Sequence, residues 1–198
     1  MKLKIISFCF FIVSNIFFPL SFISCTEDFD YVFTNYSTNF TINNSIYFDQ
    51  TLASSLNPMS PGIFTIIKCI YNEGGYFYIF ENNHGMRSIK PFTAIDFRMK
   101  NFSHIGMNNG LIVGYGILDY PFQLFVYDLQ CPNCFNSRIT SCQNYSLSIN
   151  SMGVAKCWVC HREYGLNYGG NVINGIKGRP LYRYRATSTG IFGILHVH

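Results

Sequence analysis

The sequence predicts an all-β domain folded as an antiparallel sandwich or barrel. Aromatic residues make up 18% of the chain and charged residues only 12%, and abundant Phe and Tyr favour strands over helices. From residue 57 onward, short apolar and aromatic runs follow one another, and Gly- and Asn-rich turn signals separate them. Many short strands joined by such turns are typical of antiparallel sandwiches and barrels.

The N-terminal segment, residues 1–24, predicts a lipoprotein signal peptide. A short basic stretch, residues 1–4, precedes an almost wholly apolar run over residues 5–23. Ser24 and Cys25 then form the end of a loose lipobox, in which the cysteine thiol receives a diacylglyceryl group. We therefore predict that Cys25 is lipidated and that the protein binds the membrane through this lipid anchor.

An acidic cluster, residues 27–30, directly follows this cysteine. It resembles the surface-export signal of Bacteroidetes lipoproteins, and the resemblance implies an outer-membrane protein on the periplasmic or cell-surface side. Two other interpretations of the N-terminus stay open. One is an uncleaved transmembrane helix, because the apolar run is nearly long enough to span a bilayer. The other is a eukaryotic secreted protein that carries Asn-linked glycans.

Residues 25–56 predict an acidic start and an Asn/Ser-rich tether. Isolated aromatic residues stand among Asn, Ser and Thr there, which is the composition of a flexible linker. The globular domain is then predicted over residues 57–198, with Pro58 and Pro61 marking its beginning. This length is sufficient to bury a hydrophobic core.

The predicted strands of the domain are seven short apolar or aromatic runs. They cover residues 63–67, 76–80, 110–113, 122–127, 154–156, 181–187 and 191–197. Residues 91–99 predict a short helix or an edge strand instead.

Two Cys-x-x-Cys pairs carry the chemistry of the domain. The first knuckle, residues 131–134, contains Cys131 and Cys134, and the second knuckle, residues 157–160, contains Cys157 and Cys160. A two-residue gap lets both sulfurs of a knuckle turn toward one ion. Four thiolates make a tetrahedral soft-ligand set, which suits one metal centre, zinc or [2Fe–2S].

Disulfides are the alternative use of these cysteines. Of the eight cysteines, Cys9 leaves with the signal peptide and Cys25 is lipidated, so an even number remains, as in many exported disulfide-bonded domains. Cys69 and Cys142 fit neither knuckle, and Cys69 is predicted to be a buried free thiol. The knuckles favour metal, because a disulfide within a Cys-x-x-Cys turn is strained.

The residues around the second knuckle carry a family resemblance. Cys160 is followed by Tyr164-Gly165-Leu166, and further on by Pro180-Leu181. This pattern resembles the second cluster-binding loop of Rieske-type ferredoxin domains, Cys-x-x-His-Gly-x-x-Phe-Asp-Leu with a later Pro-Leu. The resemblance implies a Rieske-like fold in which Cys160 takes the place of a histidine ligand.

The ligand set departs from that family. Both expected histidine ligands are cysteines here, and the first loop has two residues between its ligands instead of one. Two imidazoles on one iron raise the potential of a Rieske centre. The resemblance therefore implies the fold and not the electron-transfer role. His161 is a second candidate ligand after Cys160.

The sequence predicts a protein that is not an enzyme and does not bind nucleic acid. It has no Gly-x-Ser-x-Gly elbow and no Ser-His-Asp pattern, and its Lys and Arg residues are scattered, with a net charge of only +4. The favoured function is a binding or interaction module held together by structural zinc. An electron-transfer protein with a [2Fe–2S] centre and a redox partner is the alternative, and a disulfide-stapled surface domain without metal is the third possibility.

Overall fold

The computed structural model describes residues 37–135 and 144–198, and antiparallel strands dominate these ranges. This confirms the predicted all-β class. The elements are β1 (Phe40–Asn43), α1 (Asn44–Tyr47), α2 (Gln50–Ser55), β2 (Phe64–Asn72), β3 (Gly75–Asn82), β4 (Arg87–Pro91), α3 (Ala94–Met99), β5 (Gly110–Tyr115), β6 (Leu124–Asp128), β7 (Ser148–Ile149), β8 (Val154–Lys156), β9 (Glu163–Gly165), a 3₁₀ turn (Leu166–Tyr168), β10 (Asn171–Asn174), β11 (Arg183–Tyr184), β12 (Ala186–Ser188) and β13 (Ile194–Val197). The predicted signal peptide, Cys25 and Cys142 lie outside the described residues. No helix in the described ranges is long and apolar enough to cross a membrane.

A six-stranded antiparallel sheet forms the centre of the domain, with the strand order β11-β6-β5-β2-β3-β4. Its longest pairing is the β2–β3 hairpin, in which Asn72 lies opposite Gly75. The two residues between them, Glu73 and Gly74, have φ angles of 48° and 80°. Two consecutive residues with positive φ make the tight hairpin turn whose twist matches that of the flanking strands.

The middle strands of the central sheet, β2, β5 and β6, are buried on both faces. Alternate residues of β2, β5 and β6 point into two separate hydrophobic cores, as the two-residue period of a strand requires. Ile67, Leu111, Val113 and Val126 enter the first core, and Ile66, Ile112, Phe125 and Tyr127 enter the second. Strands covered on both sides have continuous apolar sequences, which is why these strands were predictable.

The first core lies between the central sheet and a three-stranded sheet with the order β1-β13-β12. Strand β1 pairs with the C-terminal strand, so that Phe40 lies opposite Val197. Helix α2 adds Leu52 and Leu56, which are fully buried in the same core.

The predicted tether is therefore wrong over its described part, residues 37–56. The isolated apolar residues of this range are core residues, and two of its polar residues cap the starts of helices instead of forming a linker. The Asn43 side chain accepts a hydrogen bond from the Ser45 N–H at the start of α1, and Asp49 accepts one from the Leu52 N–H at the start of α2. Asn and Asp are preferred at such N-cap positions, which gave this range the composition of a linker.

The second core lies on the opposite face of the central sheet. A four-stranded sheet with the order β10-β9-β8-β7 covers it. The second knuckle connects β8 to β9, and the first knuckle follows the end of β6. Both knuckles thus belong to this layer.

The C-terminal strands differ from the predicted single strand over residues 181–187. Two short strands replace it, because β11 pairs with β6 in the central sheet and β12 pairs with β13 in the three-stranded sheet. The intervening Arg185 exchanges both backbone hydrogen bonds with His198. The chain thereby crosses from one sheet to the other within a few residues.

Candidate metal centre

Buried polar groups fix the path of the chain as it leaves β6 toward the first knuckle. The fully buried carboxylate of Asp128 accepts hydrogen bonds from the N–H groups of Gln130 and Met107 and from the hydroxyl of Tyr184, each at 2.7 Å. Burial raises the pKa of Asp128, while these three hydrogen bonds act in the opposite direction. The carboxylate therefore joins three separate parts of the chain just before Cys131.

The first knuckle is a tight turn held by its own backbone. The N–H groups of Cys134 and Phe135 donate to the carbonyl oxygen of Cys131 at 3.2 and 2.9 Å. The N–H of Cys131 donates to the carbonyl of Tyr145 at 3.0 Å, and the Gln130 side chain accepts from the Tyr145 N–H at 2.7 Å. These bonds set the direction in which the Cys131 thiol points.

The second knuckle closes the β8–β9 hairpin. The N–H of Cys157 donates to the carbonyl of Arg162 at 3.0 Å. Between them, His161 has a φ of 58°, in the left-handed region that residues other than Gly, Asn and Asp adopt less often. This conformation reverses the chain after Cys160 and leaves the His161 side chain exposed.

The two knuckles bring all four predicted cysteines together. Their Sγ atoms lie within 4.8 Å of one another. The Sγ atoms of Cys131 and Cys160 are 3.6 Å apart, and those of Cys134 and Cys157 are 3.8 Å apart. Each of these close pairs joins one knuckle to the other, and His161 is not part of the cluster.

The size of this cluster fits a single tetrahedral ion. Zn–S bonds of about 2.3 Å place the four sulfurs of a zinc site about 3.8 Å apart. A disulfide requires a sulfur separation of about 2.05 Å, and the cysteines of the described residues, these four and Cys69, are free thiols. The four cysteines can therefore hold one metal ion.

The electrostatics of the cluster also favour a cation. Burial raises the pKa of Cys131 to about 11, although Tyr164 and the Asn133 N–H oppose this shift. Burial and the neighbouring thiols raise the pKa of Cys134 as well. Burial acts against ionisation of Cys160 too, but hydrogen bonds from the backbone and side chain of Arg162 and from the neighbouring thiols lower its pKa to about 6. Four crowded thiols cannot all ionise unless a bound cation compensates their charge.

A second layer of polar groups supports the first knuckle. The Asn133 Nδ2 donates to the Tyr164 hydroxyl oxygen at 2.9 Å, and that hydroxyl lies 3.2 Å from the Cys131 Sγ. Because Asn133 donates, the hydroxyl proton of Tyr164 is free to point at the Cys131 sulfur. Partners of this kind orient metal ligands and stabilise their charge.

Sequence reasoning did not assign a role to Asn133, to the Tyr164 hydroxyl or to Arg162. The only indication of a role was the place of each residue in the sequence. Asn133 lies inside the first knuckle, and Arg162 and Tyr164 follow the second. Cys69 was correctly separated from the knuckles: it is a half-buried free thiol packed against the first core. No protein-family model matches the chain, and no curated protein is similar to it.

Proposed function

We propose that this chain is a lipid-anchored binding or interaction module, not an enzyme, whose four knuckle cysteines hold one structural zinc ion. The observation that carries the proposal is the convergence of the four sulfurs within 4.8 Å of one another. Four thiolates fill the coordination sphere of zinc and leave no position for a substrate, as is usual for structural zinc sites.

A single ion suits this cluster better than a [2Fe–2S] centre. In a two-iron cluster two thiolates bind each iron, and sulfides separate the irons. Thiolates on different irons consequently lie farther apart than thiolates that share one ion. The sulfurs of all four cysteines lie within 4.8 Å of one another, closer than this arrangement allows, so the [2Fe–2S] alternative requires the thiolates of one iron to move away from those of the other.

The ion would stabilise a part of the domain that has little regular structure of its own. Strands β7, β8 and β9 contain only two or three residues each, and sheets of such short strands are marginally stable alone. Cys131 and Cys157 are buried in the second core. Metal binding at these residues would hold the four-stranded sheet in place against the central sheet.

The lipid anchor at Cys25 and the Rieske-like identity of the domain belong to the same proposal. The anchor is supported by the signal-peptide pattern, and the Rieske-like identity by two loops that each supply two ligands to one centre. Mass spectrometry of the membrane-extracted protein tests the anchor, because a diacylglyceryl group adds a defined mass to the peptide that begins at Cys25. The Cys25→Ser variant should lack this mass and leave the membrane fraction.

Metal analysis tests the centre. Residues 25–198 are purified anaerobically without added metal, and zinc, iron and labile sulfide are measured together with the visible spectrum. One zinc per chain in a colourless solution supports the proposal. Iron with labile sulfide and a brown colour would replace it with the electron-transfer function, and neither metal, with oxidised cysteines, would replace it with the disulfide-stapled domain.

A further inference from the structure

A cavity of about 430 Å³ opens beside the β2–β3 hairpin. Three parts of the chain form its walls: β1 with α1, the two strands of the hairpin next to its turn, and the segment over residues 92–105. Its buried lining residues, among them Tyr78 and Ile105, belong to the first core, whereas the knuckle cysteines belong to the second. The cavity and the candidate metal centre therefore lie on opposite faces of the central sheet.

One wall of the cavity is a row of aromatic rings. The ring centroids of Tyr71 and Tyr76 are 4.8 Å apart, those of Tyr76 and Phe92 are 5.5 Å apart, and those of Phe92 and Tyr78 are 4.4 Å apart. Tyr71 is 64% exposed at the outer end of the row. The wall thus presents a continuous aromatic surface with an accessible ring at its edge.

Another part of the cavity lining is polar and uncharged. Asn101, Ser103 and Asn109 line it, and within the described residues no hydrogen bond occupies their side chains. The hydroxyls of Tyr71 and Tyr76 likewise form no hydrogen bond within the described residues. Amide and hydroxyl groups both donate and accept hydrogen bonds, so these groups suit a ligand that carries several hydroxyls.

The charged groups of the lining are already engaged. The carboxylate of Asp96 accepts hydrogen bonds from the Thr93 N–H at 2.7 Å and from the hydroxyls of Thr93, Tyr47 and Tyr78. Burial and the nearby carboxylate raise the pKa of both tyrosines, so they remain neutral donors. Among the described lining residues the only cation is Lys100, whose Nζ lies 4.5 Å from the centroid of the Tyr76 ring. The Asp96 carboxylate and the Lys100 ammonium carry opposite charges, and each already has an interaction partner. A charged ligand would have to displace one of these partners in order to bind.

We propose that this cavity binds a neutral saccharide. The C–H faces of a sugar ring are apolar and pack on aromatic rings, while its hydroxyls lie at the ring edge and reach amide and hydroxyl partners. Pockets for small ligands have volumes of about 300–1,000 Å³ and combine aromatic walls with a few placed polar groups. A cavity of about 430 Å³ accommodates one or two sugar rings.

Hydrogen bonds within the chain hold the walls of the cavity in place. Thr93 and Asp96 cap α3 with reciprocal hydrogen bonds, and the Tyr47 hydroxyl holds Asp96 from the side of α1. Asn39 and His104 exchange backbone hydrogen bonds at 3.1 and 2.9 Å. A preformed site binds more tightly because less conformational entropy is lost on binding.

Saturation-transfer NMR on the metal-loaded protein tests the proposal. The probes are methyl glucoside, methyl galactoside, N-acetylglucosamine, maltose and cellobiose, with choline and glucuronate as charged comparisons. At least one neutral sugar should bind at millimolar concentration, and Tyr71→Ala should weaken it about tenfold. Asn101→Ala should also weaken binding. Tyr168→Ala removes an equally exposed tyrosine from the other side of the central sheet and should leave binding unchanged.

Three results would overturn the proposal: no neutral sugar binds, only choline or glucuronate binds, or Tyr71→Ala binds as well as the unmodified protein. Because Tyr71 is largely exposed, its loss should leave the metal content unchanged and should lower the melting temperature by a few degrees at most, through loss of the contact with Tyr76. Measuring both on every variant separates failure of the cavity from failure of the metal centre.

Discussion

The side chain of Asn133 forms hydrogen bonds with both backbone polar groups of Arg179. Its Nδ2 donates to the Arg179 carbonyl oxygen, and its Oδ1 accepts from the Arg179 N–H, each at 2.9 Å. The neighbouring Gly178 permits this approach, since a Cβ atom there would lie 2.6 Å from the Asn133 Oδ1 and 2.9 Å from the Arg162 Nε. A residue inside the first knuckle thus connects the candidate metal centre to the segment that leads into β11.

Replacing Asn133 with Ala should loosen the first knuckle. The variant loses both bonds to Arg179 and the bond to the Tyr164 hydroxyl. At about 1 kcal/mol per hydrogen bond, with partial compensation by water, the free energy of unfolding should fall by about 2 kcal/mol. Urea unfolding measures this change. Asn174→Ala, which loses one exposed bond to Glu163, is the control, and an equal loss in both variants would contradict the role given to Asn133.

Removing the Tyr164 hydroxyl should weaken metal binding more than it weakens the fold. Tyr164→Phe deletes the donor beside the Cys131 sulfur, and loss of such a partner typically costs 10- to 100-fold in metal affinity. Tyr127→Phe is the matched control, because its hydroxyl is equally buried but donates to the Leu166 carbonyl instead. Competition with a zinc chelator should distinguish the two variants. Equal affinities would show that Tyr164 acts only in packing.

Loss of one ligand should destabilise the domain through the metal. Cys157→Ser should lose stoichiometric zinc, because metal binding and the folding of this layer are linked, and the melting temperature should fall by about 10 °C or more. Cys69→Ser removes a free thiol outside the cluster and should keep its zinc. Calorimetry with metal analysis measures both effects, and an unchanged transition in Cys157→Ser would rule out a structural ion.

The left-handed conformation of His161 predicts an order among its variants. His161→Gly removes a side chain from a residue whose φ is 58°, whereas His161→Ala keeps a Cβ atom in that strained conformation. The Gly variant should be the more stable of the two by up to about 1 kcal/mol, after allowance for the greater entropy of Gly in the unfolded chain. Both variants should bind zinc fully. Loss of zinc in both would show that the imidazole is a ligand.

The buried carboxylate of Asp128 should be essential for stability. Asp128→Asn preserves the shape of the side chain but replaces one acceptor oxygen with a donating NH₂ group. That group faces either the Gln130 N–H or the Met107 N–H together with the Tyr184 hydroxyl. We expect a loss of about 2–4 kcal/mol, because a buried donor is then left without an acceptor. Asp119→Asn makes the same change at a partly exposed residue and should be nearly neutral. Thermal unfolding of the two variants provides the comparison.

Most strands of the central sheet were predictable, and those around the candidate metal centre mostly were not. The runs predicted at 63–67, 76–80, 110–113 and 122–127 correspond to β2, β3, β5 and β6, whereas β4 was not predicted. Burial on both faces makes β2, β5 and β6 continuously apolar. Strands β7 and β9 have only two and three residues. That is too few to establish a two-residue period, so only β8 was found in this layer.

The sequence by itself determined the residue types and the local geometry of this protein. A two-residue gap turns both sulfurs of each knuckle to one side, and apolar runs between turn signals favour strands. Only the tertiary structure decided which segments meet. Pairing of β1 with β13 made residues 37–56 part of the domain, and packing of the second core brought the two knuckles within bonding reach of one ion. The Asn133–Tyr164–Cys131 contacts and the aromatic cavity likewise join residues far apart in the chain, and such contacts depend on the packing of the sheets, which no local pattern encodes.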